Sequence, residues 1–314
     1  MREVFNKKGF RRFLVWIIIL GIISIFLYGW FSFFSRTGVL GIENIDKADL
    51  KRTEYDSEGI MVGARAFELE GNKEVCWLMI HGYAATPDVM KEISGIVNAE
   101  FGDYIKVIRL KGHGEVPSKI LNLDLYDWHE QVEKEFFELE KECGSINVVG
   151  SSYGGALSLK LAEEHELGNV YVANPYLRNY YKKWMILPTE FYIEKFADWI
   201  VFITKNKAAQ INDPVALEKH LMYISMPLQP VKNSIPFVKE VKKDLNRITE
   251  NIVTFHSYND VVADYVASEW IFEDASSEIK EKVLFTESNH VLLVDYDKQE
   301  VFNKIVSFEK ENRK

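Results

Sequence analysis

Gly150-Ser151-Ser152-Tyr153-Gly154 sets one serine centrally between two glycines, directly after the apolar run Ile146 to Val149 and before a segment suited to a helix. A sharp strand-to-helix turn at such a site lifts the central hydroxyl out of a sheet. Gly150 and Gly154 are needed there because a Cβ would collide with neighbouring chain. Ser151 has the same chemistry but not the central place. A serine hydroxyl is a weak nucleophile near neutral pH, so it needs a base, and the base needs a third group to fix its tautomer. Of the seven histidines, His290 ends the short loop Glu287-Ser288-Asn289-His290, between the run Val283 to Thr286 and a closing helical stretch. Asp260 follows the apolar run Ile252 to His256 through Ser257-Tyr258-Asn259 and is the candidate orienting acid. Asp264 is the alternative, standing where the next helix begins and suited there to be an N-terminal charge. Ser152, His290 and Asp260 together are equipped for nucleophilic attack on an acyl carbon.

Distant residues act together only if the elements that carry them deliver them to one edge. Val75 to Ile80, Ile105 to Ile108, Ile146 to Gly150, Val170 to Ala173, Asn251 to His256 and Lys282 to Thr286 are short runs that read as strands. Between them, Pro87 to Glu100, Asp124 to Cys143, Gly155 to Glu166, Asp264 to Phe272 and Lys298 to Glu311 read as helices. This alternation predicts a parallel sheet covered on both faces. Each of the three candidate residues then follows the carboxyl end of a strand, where open parallel sheets place their ligands. Ile60 to Leu69 predicts an opening strand or hairpin before the turn at Gly71-Asn72. Tyr176 to Arg247 breaks the rhythm, is rich in Tyr, Trp, Phe and Pro, and predicts a helical insertion.

The order serine, aspartate, histidine joins several further motifs: His81-Gly82-Tyr83, Arg109-Leu110-Lys111-Gly112-His113-Gly114, Tyr126-Asp127-Trp128, Asn259-Asp260-Val261-Val262 and Ser288-Asn289-His290. From about Lys73 to the C-terminus, apart from the insertion, the chain resembles the bacterial carboxylesterase and monoacylglycerol lipase branch of the α/β-hydrolase superfamily. The resemblance implies an α/β-hydrolase domain over residues 60–314, with a helical cap at about 176–247 and hydrolysis of carboxylic esters without a cofactor. It also implies an oxyanion hole from the backbone N–H groups of Tyr83 and Tyr153 and a site rim shaped by His81, Gly82 and His113. Lys111 departs from the family, where proline or glycine is common. The insertion holds Tyr180, Tyr181, Trp184, Met185, Leu187, Phe191, Tyr192, Phe196 and Trp199. Part of this set is expected to pack the cap onto the core and the rest to line an acyl pocket, which suits lipophilic esters such as monoacylglycerols.

Other chemistries fit less well. A formal net charge of −9 argues against a nucleic-acid partner, since a binding face needs an excess of Lys and Arg. There is no Gly-rich phosphate loop, and no His/Glu pair four residues apart with a convincing further ligand, so no metal is expected. Serine rather than aspartate at the nucleophile excludes a haloalkane dehalogenase. An acyltransferase or perhydrolase on the same three residues, and a membrane-tethered binding module without catalysis, stay open as alternatives. His129 and His165 fall in predicted helices, His220 in the insertion and His256 within a strand. None of these four is a persuasive base.

The N-terminus differs in kind. Phe13 to Phe34 is an uncharged run of about 22 residues, which at ~1.5 Å per residue covers about 33 Å, the thickness of a bilayer core. It predicts a transmembrane anchor at 13–34 between a tail at 1–12 and a juxtamembrane connector at 35–59. Arg2, Lys7, Lys8, Arg11 and Arg12 precede the run, so the positive-inside rule places the N-terminus in the cytoplasm and the hydrolase domain outside a bacterial cell membrane. The run is longer than the apolar part of a signal peptide and lacks a convincing cleavage site. Cys76 and Cys143 read as two ordinary buried thiols. The alternative is a disulfide formed in an oxidising compartment, because in the resembled fold the strands near them are neighbours.

Overall fold

The computed structural model describes residues 15–21, 23–24, 42–51, 53–180, 187–198, 200–204, 210–223 and 225–313. Its centre is a seven-stranded sheet of order β1-β3-β2-β4-β5-β8-β9, with β1 Phe67–Leu69, β2 Asn72–Ile80, β3 Asp103–Ile108, β4 Ser145–Ser151, β5 Val170–Ala173, β8 Ile252–Ser257 and β9 Lys280–Phe285. Only β1 against β3 is antiparallel; the other five pairings are parallel. The second half of β2 is buried without interruption because both faces of the sheet are covered. Cys76, Leu78 and Ile80 point to one side, where they meet Trp128, Val132 and Phe136 of α3 (Leu125–Glu140), Leu157 and Leu161 of α4 (Tyr153–Glu164), and Phe237 and Val241 of α7 (Gln229–Asp244). Trp77 and Met79 point to the other, against Ile93 and Val97 of α2 (Lys91–Phe101) and Phe302 and Phe308 of α9 (Lys298–Asn312). The period-two alternation of a strand thus divides one apolar run between two cores. Asp124 begins α3 with a capping box: its side chain accepts from the amides of Tyr126 and Asp127, while Asp127 accepts from the amide of Asp124.

The α/β-hydrolase architecture predicted from the sequence is present, and four local expectations need correction. The opening strand is short: of residues 60–69 only Phe67–Leu69 pairs with β3. Ile60, Met61 and Ala64 instead turn into the core, with the Met61 amide donating to the carbonyl of Gly114 at 2.6 Å. The stretch at 35–59, polar and without strong periodicity in sequence, nonetheless contains a helix, α1 (Ile42–Leu50), which buries Ile45 and accepts the Ser118 amide on Asp46 Oδ1 at 3.0 Å. The insertion is not all helical. Besides α5 (Thr189–Phe196), α6 (Pro214–Lys219) and α7 it contains an antiparallel ribbon of β6 (Phe202–Thr204) with β7 (Ser225–Pro227). Strands of three residues carry too little periodicity to be read from sequence. Finally, Cys76 and Cys143 form a disulfide with Cα atoms 5.9 Å apart, not two free thiols. Cys76 aligns with Ile146 in the β2/β4 register, so Cys143, just ahead of β4, comes within bridging distance.

Most of the apolar run Phe13 to Phe34 lies outside the described residues. Residues 15–21 and 23–24 are helical, and Val15, Trp16, Ile17, Ile18 and Leu20 are exposed. Among the described residues no helix is long and apolar enough to cross a membrane.

Candidate active site

Ser152 sits between the end of β4 and the start of α4 with φ 54° and ψ −115°, a conformation that side chains larger than glycine rarely adopt. The turn is held by contacts that leave no room for a Cβ at either flanking glycine. One on Gly150 would lie 2.3 Å from the carbonyl of Gly154, and one on Gly154 would lie 2.0 Å from the carbonyl of Ile80. The Ser152 amide donates to Ala173 O at 3.0 Å, anchoring the elbow to β5. His290 Nε2 is 2.9 Å from Ser152 Oγ, and His290 Nδ1 is 2.8 Å from Asp260 Oδ2. A carboxylate can only accept, so Nδ1 carries the proton and Nε2 is free to take the one on Ser152. Asp260 Oδ1 accepts from the amides of Val262 at 2.7 Å and Ala263 at 2.9 Å. Burial pushes the Asp260 pKa up, but the imidazoles of His290 and His256 beside it outweigh burial and hold it well below the usual carboxylate range. Asp264 is used otherwise, as read: it accepts from the Val266 amide at the start of α8 (Val266–Asp274) and lies 3.6 Å from Arg178.

Tyr83, one of the two expected oxyanion donors, lines the cavity at Ser152, and Tyr153 follows Ser152 directly. Tyr153 is the first residue of α4, and no hydrogen bond among the described residues uses the amide of either tyrosine. A Cβ on Gly82 would lie 2.8 Å from Ser152 Cβ, so the Gly82 backbone packs directly against Ser152. His81 and His113 do not form the rim expected of them. Both are fully buried and hydrogen-bond to the loop that carries Gly82, Tyr83 and Ala84. His81 Nε2 accepts from the Leu110 amide at 3.1 Å and His113 Nε2 from the Ala84 amide at 3.2 Å. Because an amide only donates, both rings are neutral on Nε2, with Nδ1 turned to the carbonyls of Gly82 and Lys111. Burial agrees, pushing the His81 pKa down to about 4 and that of His113 well below its ordinary value. The brace holds Ala84 at φ 58°, a left-handed conformation for a non-glycine residue. The departure at Lys111 is harmless, since only its backbone takes part, accepting from Trp128 Nε1 and donating to Gln131.

Two positioning groups escaped the sequence reading. Asn174, at φ 46° just past β5, donates from Nδ2 to the carbonyls of Asn289 and His290 and accepts the Ser257 amide, joining the acid strand to the histidine loop. An asparagine at a strand end, tolerant of left-handed backbone, was the available signal. Buried Asp295 accepts from four amides, Asn212, Asp213, Asn289 and Tyr296, and so ties the insertion to the histidine loop.

The cavity over Ser152 has a volume of about 20 Å³, room for a water-sized group. Its outer wall includes Ala85, Val89, Gln210, His220, Met222 and Val291. None of the described members of the aromatic set expected to line an acyl pocket lines this cavity. Tyr181, Trp184, Met185 and Trp199 lie outside the described residues, Tyr180 and Tyr192 are half-buried, and Leu187, Phe191 and Phe196 are 38%, 39% and 46% exposed. Away from this site, His129 and Glu133 of α3 do gain a third potential ligand in Glu164 of α4, their donor atoms lying within 4.8 Å of one another. Hydrogen bonds and a lysine ion pair occupy the group, with His129 Nε2 2.8 Å from Glu164, His165 2.9 Å from Glu133 and Lys160 2.9 Å from Glu164.

The family described as serine aminopeptidase, S33, matches residues 78–297, well over half of the chain. A thermostable monoacylglycerol lipase of Bacillus sp. (strain H-257) is 29% identical over 255 residues, covering 79% of this chain and 95% of that protein. A carboxylesterase of Bacillus subtilis (strain 168) is 21% identical over 252 residues, covering 79% and 97%. In three dimensions the fold matches a structure of the metagenome-derived lipolytic enzymes LipS and LipT with a TM-score of 0.70 at 23% identity, over 80% of this chain and 99% of that one. It matches Paleococcus ferrophilus monoacylglycerol lipase with a TM-score of 0.67 at 16% identity, over 77% and 96%. With the nucleophile elbow, the strand order and the matched residues in agreement, the chain belongs to the serine aminopeptidase S33 family of α/β-hydrolase serine hydrolases.

Proposed function

We propose that the protein hydrolyses carboxylic esters of lipophilic acids through an acyl-enzyme on Ser152. Ser152 Oγ attacks the ester carbonyl while its proton passes to His290 Nε2, and Asp260 holds the imidazole and stabilises its charged form. The amides of Tyr83 and Tyr153 donate to the oxyanion. As the tetrahedral intermediate collapses, the alcohol leaves with the proton from His290, and water then repeats the sequence on the acyl group. The observation that carries this reading is the contact chain Ser152–His290–Asp260 at 2.9 and 2.8 Å.

The family's description names aminopeptidases, which must hold a substrate ammonium group. Among the described residues no carboxylate lines the cavity, whereas Ala85, Val89, Met222 and Val291 offer an apolar wall, and this favours an uncharged acyl ester. The similarity to a monoacylglycerol lipase points the same way. A series of p-nitrophenyl and glycerol esters from acetate to longer chains tests it: kcat/KM rising towards octanoate supports a lipophilic pocket. A maximum at acetate refutes that pocket, and turnover only with an added acyl acceptor selects the transferase instead.

The same proposal places the hydrolase domain outside the cytoplasm on an anchor at 13–34. The apolar run and its preceding basic residues support this, and so does the Cys76–Cys143 disulfide, a bond that persists in oxidising compartments and is rare in the cytosol. Protease added to intact cells should digest the domain; protection until lysis refutes the orientation.

A further inference from the structure

A second imidazole, unused in the chemistry above, lies behind Asp260. His256 is fully buried on β8, four residues before Asp260. Its Nε2 lies 3.4 Å from Asp260 Oδ2 and 3.4 Å from the carbonyl of Ala263. Both of those oxygens can only accept, so Nε2 carries a proton. Its Nδ1 is 2.8 Å from Ser268 Oγ on α8, and Ser268 Oγ accepts from Thr254 Oγ1 at 2.8 Å. With its oxygen engaged by Thr254, the Ser268 hydroxyl turns its own hydrogen to Nδ1. The hydrogen-bond directions therefore run one way, Thr254 to Ser268 to His256, whose Nε2–H faces both the Ala263 carbonyl and Asp260 Oδ2. Asp260 Oδ2 receives the His290 N–H at 2.8 Å and has His256 Nε2 3.4 Å away on its other side, while Oδ1 receives two backbone amides.

We propose that His256 is a positioning residue for hydrolysis, donating to the same Asp260 oxygen that His290 uses and so fixing the carboxylate and moderating its pull on the His290 proton. The inference rests on the Ser152–His290–Asp260 reading and adds to it a buried relay from α8. Its sign follows from charge. Without the second donor the Asp260 carboxylate becomes more basic and favours protonated His290, so the enzyme loses its free base at a higher pH. Of the other charged groups on or beside α8 and β9, Asp264 lies 3.6 Å from Arg178, Glu269 pairs with Lys282 and Glu281 with Lys304, and all of them, with Glu273, Asp274 and Lys280, stay the same in every variant below.

The test is the pH dependence of kcat/KM on a p-nitrophenyl ester for the full chain, His256→Gln and His256→Met. Glutamine places an amide N–H near the position of Nε2, whereas methionine keeps similar bulk without a donor. We expect His256→Met to move the acid limb up by about one pH unit with a loss in kcat of about tenfold, and His256→Gln to hold the wild-type limb. A merely structural role would lower the activity or Tm of both variants without moving either limb. A His256→Met limb that coincides with wild type, or equal movement in both variants, overturns the proposal. Should both fail to fold, Ser268→Ala, which removes the donor to Nδ1, is expected to move the limb in the same direction by a smaller amount, and an unmoved limb there overturns it. Failure of the underlying reading would show separately, as turnover that survives Ser152→Ala.

Discussion

Replacing Cys143 by serine removes the cross-link while disturbing little else. Cys143 is half-buried, and Cys76 remains as a small apolar side chain in the core it already occupies. The bridged residues are 67 apart in sequence, so the loop-entropy relation assigns the cross-link about 4 kcal/mol at 25 °C. That is a large fraction of the ~5–15 kcal/mol that holds a typical domain together, and for a domain of this size it corresponds to a fall in Tm of roughly 10 °C. Urea unfolding followed by tryptophan fluorescence is the assay. The variant should also show a steeper dependence on urea, since its denatured chain is no longer pinned. Turnover at 25 °C should be unchanged, because the bridge sits toward the amino ends of β2 and β4 whereas Ser152 follows the carboxyl end of β4. A variant within about 1 kcal/mol of wild type would refute the entropic argument. Two titratable thiols in the native, non-reduced protein would refute the bridge itself.

Three further outcomes follow from the same geometry. Since burial holds the His81 pKa down at about 4, below pH 6.5 the unfolded chain binds a proton that the native ring refuses. Stability present above pH 6.5 is therefore lost as pH falls toward 4, by about 2 kcal/mol at pH 5 from this ring alone, and equal urea midpoints at pH 7.5 and pH 5 would contradict it. Gly82→Ala puts a methyl group 2.8 Å from Ser152 Cβ, so kcat should fall by about 10²-fold or more while the urea midpoint moves far less; unaltered kcat would show that the loop does not bear on the nucleophile. A chain starting at residue 66 loses the buried Ile45, Ile60, Met61 and Ala64 and should unfold at clearly lower temperature than one starting at residue 37, and equal Tm values would show that α1 and the following turns contribute nothing.

Ser152, His290 and Asp260 were readable from sequence because each announces itself locally: a serine between glycines after an apolar run, and an acid and a base just past strand ends. The parallel sheet then does the assembling, and its strand order follows from the βαβ rhythm. What sequence hid are relations between distant segments. His81 and His113 look like rim residues until Leu110 and Ala84, each 29 residues from its partner histidine, are seen donating into their rings. Asp295 shows its purpose only when Asn212 and Asp213 of the insertion fold back onto it. The disulfide depends on the register of β2 with β4, which two isolated cysteines do not encode. In the insertion, aromatic content suggested a pocket wall, yet Leu187, Phe191 and Phe196 face outward. Composition reports how much apolar surface a segment has, not which way it points.

The account stands or falls on Ser152 as the nucleophile. Its most direct test is the kcat of Ser152→Ala on a p-nitrophenyl ester, with fluorophosphonate labelling of the wild-type protein mapped by mass spectrometry on the same preparation. The account predicts a loss of about 10⁴–10⁶-fold in kcat and a single label on Ser152. Turnover by Ser152→Ala near the wild-type rate, or a label on Ser151 with Ser152 untouched, would contradict it.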